Sequence, residues 1–152
     1  MKKIVIGIVG FLGFLAVLLA GAIGKTTARY MFGRLEPRCV SRTLVSFDRA
    51  LVEASKRINA TLPMYPEKGV RLDSTVAGPG KQWTNFLTLL EVSRDELDSG
   101  GFAESMRPRL IQGYKTNPDM AMFREWQVEL HYHYRDKNGA TIATIVVSPK
   151  DF

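Results

Sequence analysis

The chain has 152 residues, 45% of them apolar and 24% charged, which suits one domain and excludes a disordered polypeptide. Its 21 Lys/Arg against 15 Asp/Glu give a formal charge of +6. The distribution excludes a nucleic-acid face: residues 1–38 hold six of the cations and one acid, Glu36, which leaves 15 Lys/Arg and 14 Asp/Glu for residues 39–152.

Residues 4–24, "IVIGIVGFLGFLAVLLAGAIG", contain no charge, no Asn or Gln and no Pro. As a helix this run reaches about 31 Å, the thickness of a bilayer core, so it predicts a lipid-bilayer contact. Lys2, Lys3, Lys25, Arg29, Arg34 and Arg38 flank it, as suits anionic headgroups. Met1-Lys2-Lys3 also begins like a secretory signal, and Ala20-Gly21-Ala22 has the small residues of a cleavage site. Two features favour a retained anchor. The run exceeds the usual signal core of about 7–15 residues. Beyond it Lys25, Arg29 and Arg34 with Tyr30 and Phe32 form an interfacial collar. Orientation stays open. The positive-inside count keeps the large domain in the cytoplasm, whereas a short tail led by a Lys pair directs export. Cys39 is the only cysteine and can form no intrachain disulfide. It follows Glu36-Pro37-Arg38 rather than small apolar residues, so it is read as a buried or half-buried residue and not a lipid anchor.

The folded part, residues 39–152, opens with an amphipathic helix over Ser41 to Asn59, whose apolar stripe is Leu44, Phe47, Leu51, Ala54 and Ile58. Leu62-Pro63-Met64-Tyr65-Pro66 stops it. Val70 to Val76 and Trp83 to Val92 read as strands. Between them, Gly78-Pro79-Gly80-Lys81 poses a choice between a phosphate cradle and a turn. A phosphate loop needs a hydroxyl residue after Gly-Lys and a helix beyond it; here Gln82 follows, then a strand, so the segment is read as a turn. Ser93-Arg94-Asp95-Glu96 is a capping box opening a short helix that ends at Gly100-Gly101. A second helix is expected from Phe102 to Gly113, with Pro108 near its first turn or at a kink. Asn117-Pro118-Asp119 starts another short helix through Met122 and Phe123. "WQVELHYHYRDKNGATIATIVVS" reads as a hairpin. Val128, Leu130, Tyr132 and Tyr134 face inward, Gln127, Glu129, His131, His133 and Arg135 outward, and Asn138-Gly139 favours positive φ at the turn.

The chemistry-bearing patterns are few. Glu129, His131 and His133 share a strand face and are the metal candidates, but the chain offers no further His and only Cys39 as a ligand, and a polar outer face explains all three. No metal, cofactor or catalytic set is therefore assigned. Asp136 beside Asn138-Gly139 has a calcium-loop flavour without the closing Glu. Asn59-Ala60-Thr61 matches a glycosylation sequon. The candidate partner-contact residues are Arg71, Asp73, Pro79, Lys81 and Trp83, although Trp83 and Trp126 equally suit a core.

The order "LPMYPEKGVRLDSTVAGPGKQWTNFLTLLEV", "MRPRLIQGYKTNPDM", "ELHYHYRDKNGATIATIVVSP" resembles a family of small bacterial exported or membrane-anchored proteins of uncharacterised function. The likeness covers about residues 40–150. It is densest at Arg71-Leu72-Asp73-Ser74, Thr116-Asn117-Pro118-Asp119-Met120 and Tyr134-Arg135-Asp136-Lys137-Asn138-Gly139. The resemblance implies export, and in relatives a disulfide between a Cys before the Thr-Asn-Pro element and one near the C-terminus. Here those positions hold Tyr114 or Lys115, and Phe152, so that bridge is absent from this chain. Together these readings predict an N-terminal transmembrane helix followed by one α+β domain of helices packed on antiparallel hairpins. They place it at the bacterial inner membrane with a periplasm-facing, non-enzymatic domain that binds a protein or envelope partner and no nucleic acid. A cytoplasm-facing accessory or immunity-type protein and a metal-dependent enzyme using His131 and His133 are the alternatives.

Overall fold

The structure, a computed structural model, describes the backbone of residues 40–151 and side chains from Phe47 onward. The candidate anchor at 4–24, the cleavage alternative at Ala20-Gly21-Ala22, Cys39 and Phe152 lie outside the described residues. Among the described residues no helix is long and apolar enough to cross a membrane.

Helix α1 (Val40–Asn59) follows the expected stripe: Phe47, Leu51, Ala54 and Ile58 are buried, while Arg49, Glu53, Lys56 and Arg57 are exposed. Strands β1 (Met64–Glu67), β2 (Val70–Gly78) and β3 (Gln82–Leu89) form an antiparallel meander. β1 falls where the sequence reads only as a helix stop. It is an outer strand, and an edge tolerates Pro66 because one side of its ladder is unpaired. After a single 3-10 turn (Arg94–Glu96) come α2 (Ser99–Thr116) and α3 (Ala121–Glu125), then the hairpin β4 (Glu129–Arg135) and β5 (Thr141–Val147).

Two expectations fail here for local reasons. Gly100-Gly101 does not end a helix but lies in the first turn of α2. Asp98 caps that turn, its Oδ1 accepting the Gly100 N–H at 3.1 Å. A Cβ on Gly101 would meet Asp98 Oδ2 at 2.7 Å, so a larger residue there would push the capping carboxylate aside. The β4–β5 turn falls at Asp136–Gly139 as expected, but of Asn138-Gly139 only Gly139 takes positive φ, at 86°. The cause is Asp136, only 2% exposed, whose Oδ1 accepts the N–H groups of Asn138 and Ala140, both at 2.8 Å.

The five strands form one sheet in the order β1-β2-β3-β4-β5. It is mixed rather than built of antiparallel hairpins alone, because β3 and β4 pair in parallel, Gln82 opposite Glu129 through Thr88 opposite Arg135. Parallel neighbours require a crossover, which α2 and α3 supply. The crossover is tied down at its last turn. The buried Tyr114 hydroxyl donates to the carbonyls of Phe123 and Val128, each at 2.8 Å, and Arg124 Nη1 donates to those of Tyr114 and Asn117 at 2.7 and 2.6 Å. Burial pushes the Tyr114 phenol up to about 12.

One face of the sheet is the core. Trp83 and Leu87 of β3 and Leu130, Tyr132 and Tyr134 of β4 are at most 3% exposed and join the apolar faces of α1 and α2. Phe123 of α3 packs edge-on against Trp83 at 5.6 Å, and Phe102 of α2 against Tyr134 at 5.1 Å. The indole N–H of Trp83 is satisfied by Asn85 Oδ1 at 3.0 Å.

Two stability outcomes follow from these contacts. Tyr114→Phe removes the hydroxyl from both carbonyls, of which that of Phe123 still accepts the Val128 N–H at 2.8 Å, and is expected to lower unfolding free energy by about 1 kcal/mol in urea titrations. Unchanged stability would remove the lock on the crossover. The second concerns Asp136. Hydrogen bonds from the amides of Arg94, Ala140 and Asn138 hold its carboxyl below the ordinary value of 3.8. A depressed carboxyl contributes stability present above its unfolded value and lost as pH falls through the folded one. Thermal melts of Asp136→Asn should therefore show a lower Tm at neutral pH and a shallower decline in acid than the parent.

Candidate interaction surface

The face of the sheet opposite the core emerges from register. Three cross-strand rows run over β2, β3, β4 and β5: Arg71, Thr88, Arg135 and Thr141; then Ser74, Phe86, His133 and Thr144; then Val76, Thr84, His131 and Val146. The middle row carries a cluster. The Phe86 and His133 rings stand edge to face at 5.3 Å, and the Arg135 guanidinium lies over Phe86 at 5.2 Å. Among the described residues no carboxylate pairs with Arg135. Partial burial and the Arg135 charge push His133 below its ordinary value, which favours the neutral ring. Val76, Thr141 and Thr144 are exposed and Phe86, His133 and Arg135 half-buried, whereas Thr88 is buried, so among the described residues this face is partly open to solvent.

The metal candidates lie on this face but do not converge on an ion. His131 Nε2 sits 2.7 Å from Glu129 Oε1. His133 is engaged through Nδ1 with Thr144 Oγ1 at 2.9 Å and through Nε2 with Thr141 Oγ1 at 3.4 Å. Among the described residues no group of three or more His, Cys, Asp or Glu is placed to hold a metal.

The five candidate contact residues separate. Arg71 and Asp73 lie on the open face, where Asp73 accepts from both Arg71 Nε and Thr88 Oγ1. Pro79 and Lys81 sit in the β2–β3 turn; eight residues of extended chain, about 26 Å, separate Arg71 from Pro79. Trp83, 0% exposed, is in the core and leaves the candidate surface, because inward alternation along β3 buries it. The turn also settles the phosphate question. Asp48 of α1 accepts the amides of Gly80 and Lys81 at 3.2 and 3.1 Å, so a carboxylate of the chain occupies the donors an anion would use. Asp136 is likewise saturated by amides rather than arranged as a calcium ligand, and Asn59 of the sequon spends its side chain on β2. Phe86 and Arg135 were not singled out from sequence. Alternation places both outward, but only the parallel register joins them.

The class of protein defined here is an α+β domain with its helices against one face of a mixed five-stranded sheet and a polar, aromatic-centred face left open. No protein-family model matches the chain, and no curated protein matches it. Three solved structures share the fold, each with a TM-score of 0.57. The type II secretion system pilotin AspS from Vibrio cholerae is 9% identical, over 74% of this chain and 97% of its own. A candidate secreted protein from Pseudomonas aeruginosa is 16% identical, over 72% and 95%. EpsS, a pilotin of the Vibrio vulnificus type II secretion system, is 9% identical, over 72% and 94%.

The contrast between faces has a measurable consequence. Phe86→Ala and Arg135→Ala should each cost less than about 1 kcal/mol in urea unfolding, against about 3–5 kcal/mol for Trp83→Ala. Equal losses at Phe86 and Trp83 would mean that the open face is covered.

Proposed function

We propose that this chain is an accessory protein of the bacterial envelope that acts by holding another protein and not by catalysis. In this reading residues 4–24 anchor it in the inner membrane, a fatty helix in an apolar solvent, and residues 40–151 stand on the periplasmic side. The observation that carries it is the full-length fold match: this domain covers 94–97% of three chains, two of them secretion-system pilotins and one a candidate secreted protein. The sequence resemblance to small exported or anchored proteins points the same way. An open face centred on an Arg-aromatic cluster suits protein recognition, because such groups dominate interface energetics.

The cytoplasm-facing alternative draws on one observation, the four cations Lys25, Arg29, Arg34 and Arg38 that follow the apolar run. Alkaline phosphatase and a cytoplasm-only fluorescent reporter, each fused after Phe152, separate the two. The expected outcome is phosphatase activity in the membrane fraction. Fluorescence without phosphatase activity overturns the periplasmic placement, and recovery of the intact fusion in the soluble fraction without detergent overturns the anchor.

A further inference from the structure

The sheet has three stretches of unpaired strand edge, and the chain guards two of them. The outer edge of β1 is short, irregular in register and interrupted by Pro66, and its Glu67 carboxyl turns inward, with Oε1 buried. β1 reaches only as far as Leu72, which leaves β2 uncovered from Ser74 on. There α1 substitutes for a strand. Asn59 accepts the Thr75 N–H through Oδ1 and donates through Nδ2 to the Thr75 carbonyl, both at 2.8 Å, and the Ser55 hydroxyl donates to the same carbonyl at 2.8 Å.

β5 carries one irregularity of register, at Ile142 between its pairings with Arg135 and Tyr134, but among the described residues no proline interrupts it and no helix bonds to its edge. Its seven residues, Thr-Ile-Ala-Thr-Ile-Val-Val, form the other outer strand and contain no charge, Pro or Gly. Among the described residues no side chain or loop bonds its outward backbone groups. We infer that the outer edge of β5 is a docking site for an extended segment of a partner protein, which pairs with it as a sixth strand. This deepens, and rests on, the reading of the chain as an accessory that holds another protein.

Main-chain donors and acceptors alternating along an edge are complemented only by another strand. Two observations choose its source. The first is charge. Arg135 and Lys137 precede β5 and Lys150 follows it, whereas the nearby acids are spent: Asp136 on backbone amides, Asp151 on Arg107 at 2.9 Å and on the Ser148 N–H at 2.8 Å. These flanks favour a segment bordered by acids and disfavour residues 1–38 of this chain, which carry six cations and one acid. The second is area. A seven-residue edge spans about 24 Å, too little alone for the 1,200–2,000 Å² or so that a stable folded pair buries, so a second copy joined there would not hold. An extended segment draws its affinity from main-chain bonds instead.

The test uses the full chain in detergent micelles and a synthetic peptide probe, an uncharged β-branched stretch with glutamates at both ends. Hydrogen exchange is read along Thr141–Val147. The expected result is new protection of alternate β5 amides on adding the peptide. It should be lost when alternate peptide amides are N-methylated, and about tenfold weaker in affinity with lysine ends or with Lys137→Glu and Lys150→Glu together, changes at exposed positions. No new protection at about 1 mM peptide overturns the inference. So does protection indifferent to N-methylation, or protection of all β5 amides before peptide is added, the mark of an edge already filled by this chain or a second copy. A failed peptide with an exported reporter sinks the edge alone, whereas a cytoplasmic reporter sinks the reading beneath it.

Discussion

The parallel pairing of Gln82–Thr88 with Glu129–Arg135 is the constraint on which the rest of the structure depends. The β1–β2–β3 meander and the β4–β5 hairpin close locally, with short turns and little loop entropy. Nothing local relates one to the other. Their union needs a crossover, and α2 and α3 make it, buttressed by Tyr114 and Arg124 at the corner. The same pairing creates both faces. It sets Trp83 beside Leu130 and Leu87 beside Tyr134 in the core, and Phe86 beside His133 on the open side. A shift of register by one residue would set Trp83 on the same face as the histidines, which are then either buried beside it or leave it exposed with them.

Carboxylates recur as staples of loops. Asp48 binds the β2–β3 turn, Asp98 caps α2, and Asp136 ties the β4–β5 turn to the Arg94 amide, an element reached by another part of the chain. In each case a side-chain anion satisfies amides that strand or helix ladders leave over. This explains why the most suggestive acids carry no catalytic arrangement. A domain held together in this way keeps its loops fixed, which supports the binding role proposed above.

Much of the framework was legible, for physical reasons that can be named. The stripe of α1 and the alternation of β4 are strong periodic signals, and Asn117 caps the segment expected of it, its Oδ1 accepting the Asp119 N–H at 2.9 Å. Rejecting the phosphate loop from the absence of a following hydroxyl agrees with amides already bound to Asp48. What escaped depends on partners distant in sequence. β1 is too short and proline-bearing to announce itself without β2. The glycines of α2 look like a stop until the Asp98 cap is seen leaning on them. The Phe86, His133 and Arg135 cluster exists only through a pairing that neither hairpin encodes. Trp83, by contrast, could serve as anchor or core on sequence grounds, and inward alternation decided for the core.

The central claim is that the two hairpins are welded in one parallel register, which alone builds the outer face of the sheet and leaves β5 as its border. Aromatic nuclear Overhauser contacts measured on the full chain test it most directly. The account requires cross-peaks between the Phe86 and His133 rings and between the Trp83 and Phe123 rings, seen together in a single folded state. Signals from both hairpins without the Phe86–His133 contact, or with His133 meeting the neighbours of Trp83, would contradict it.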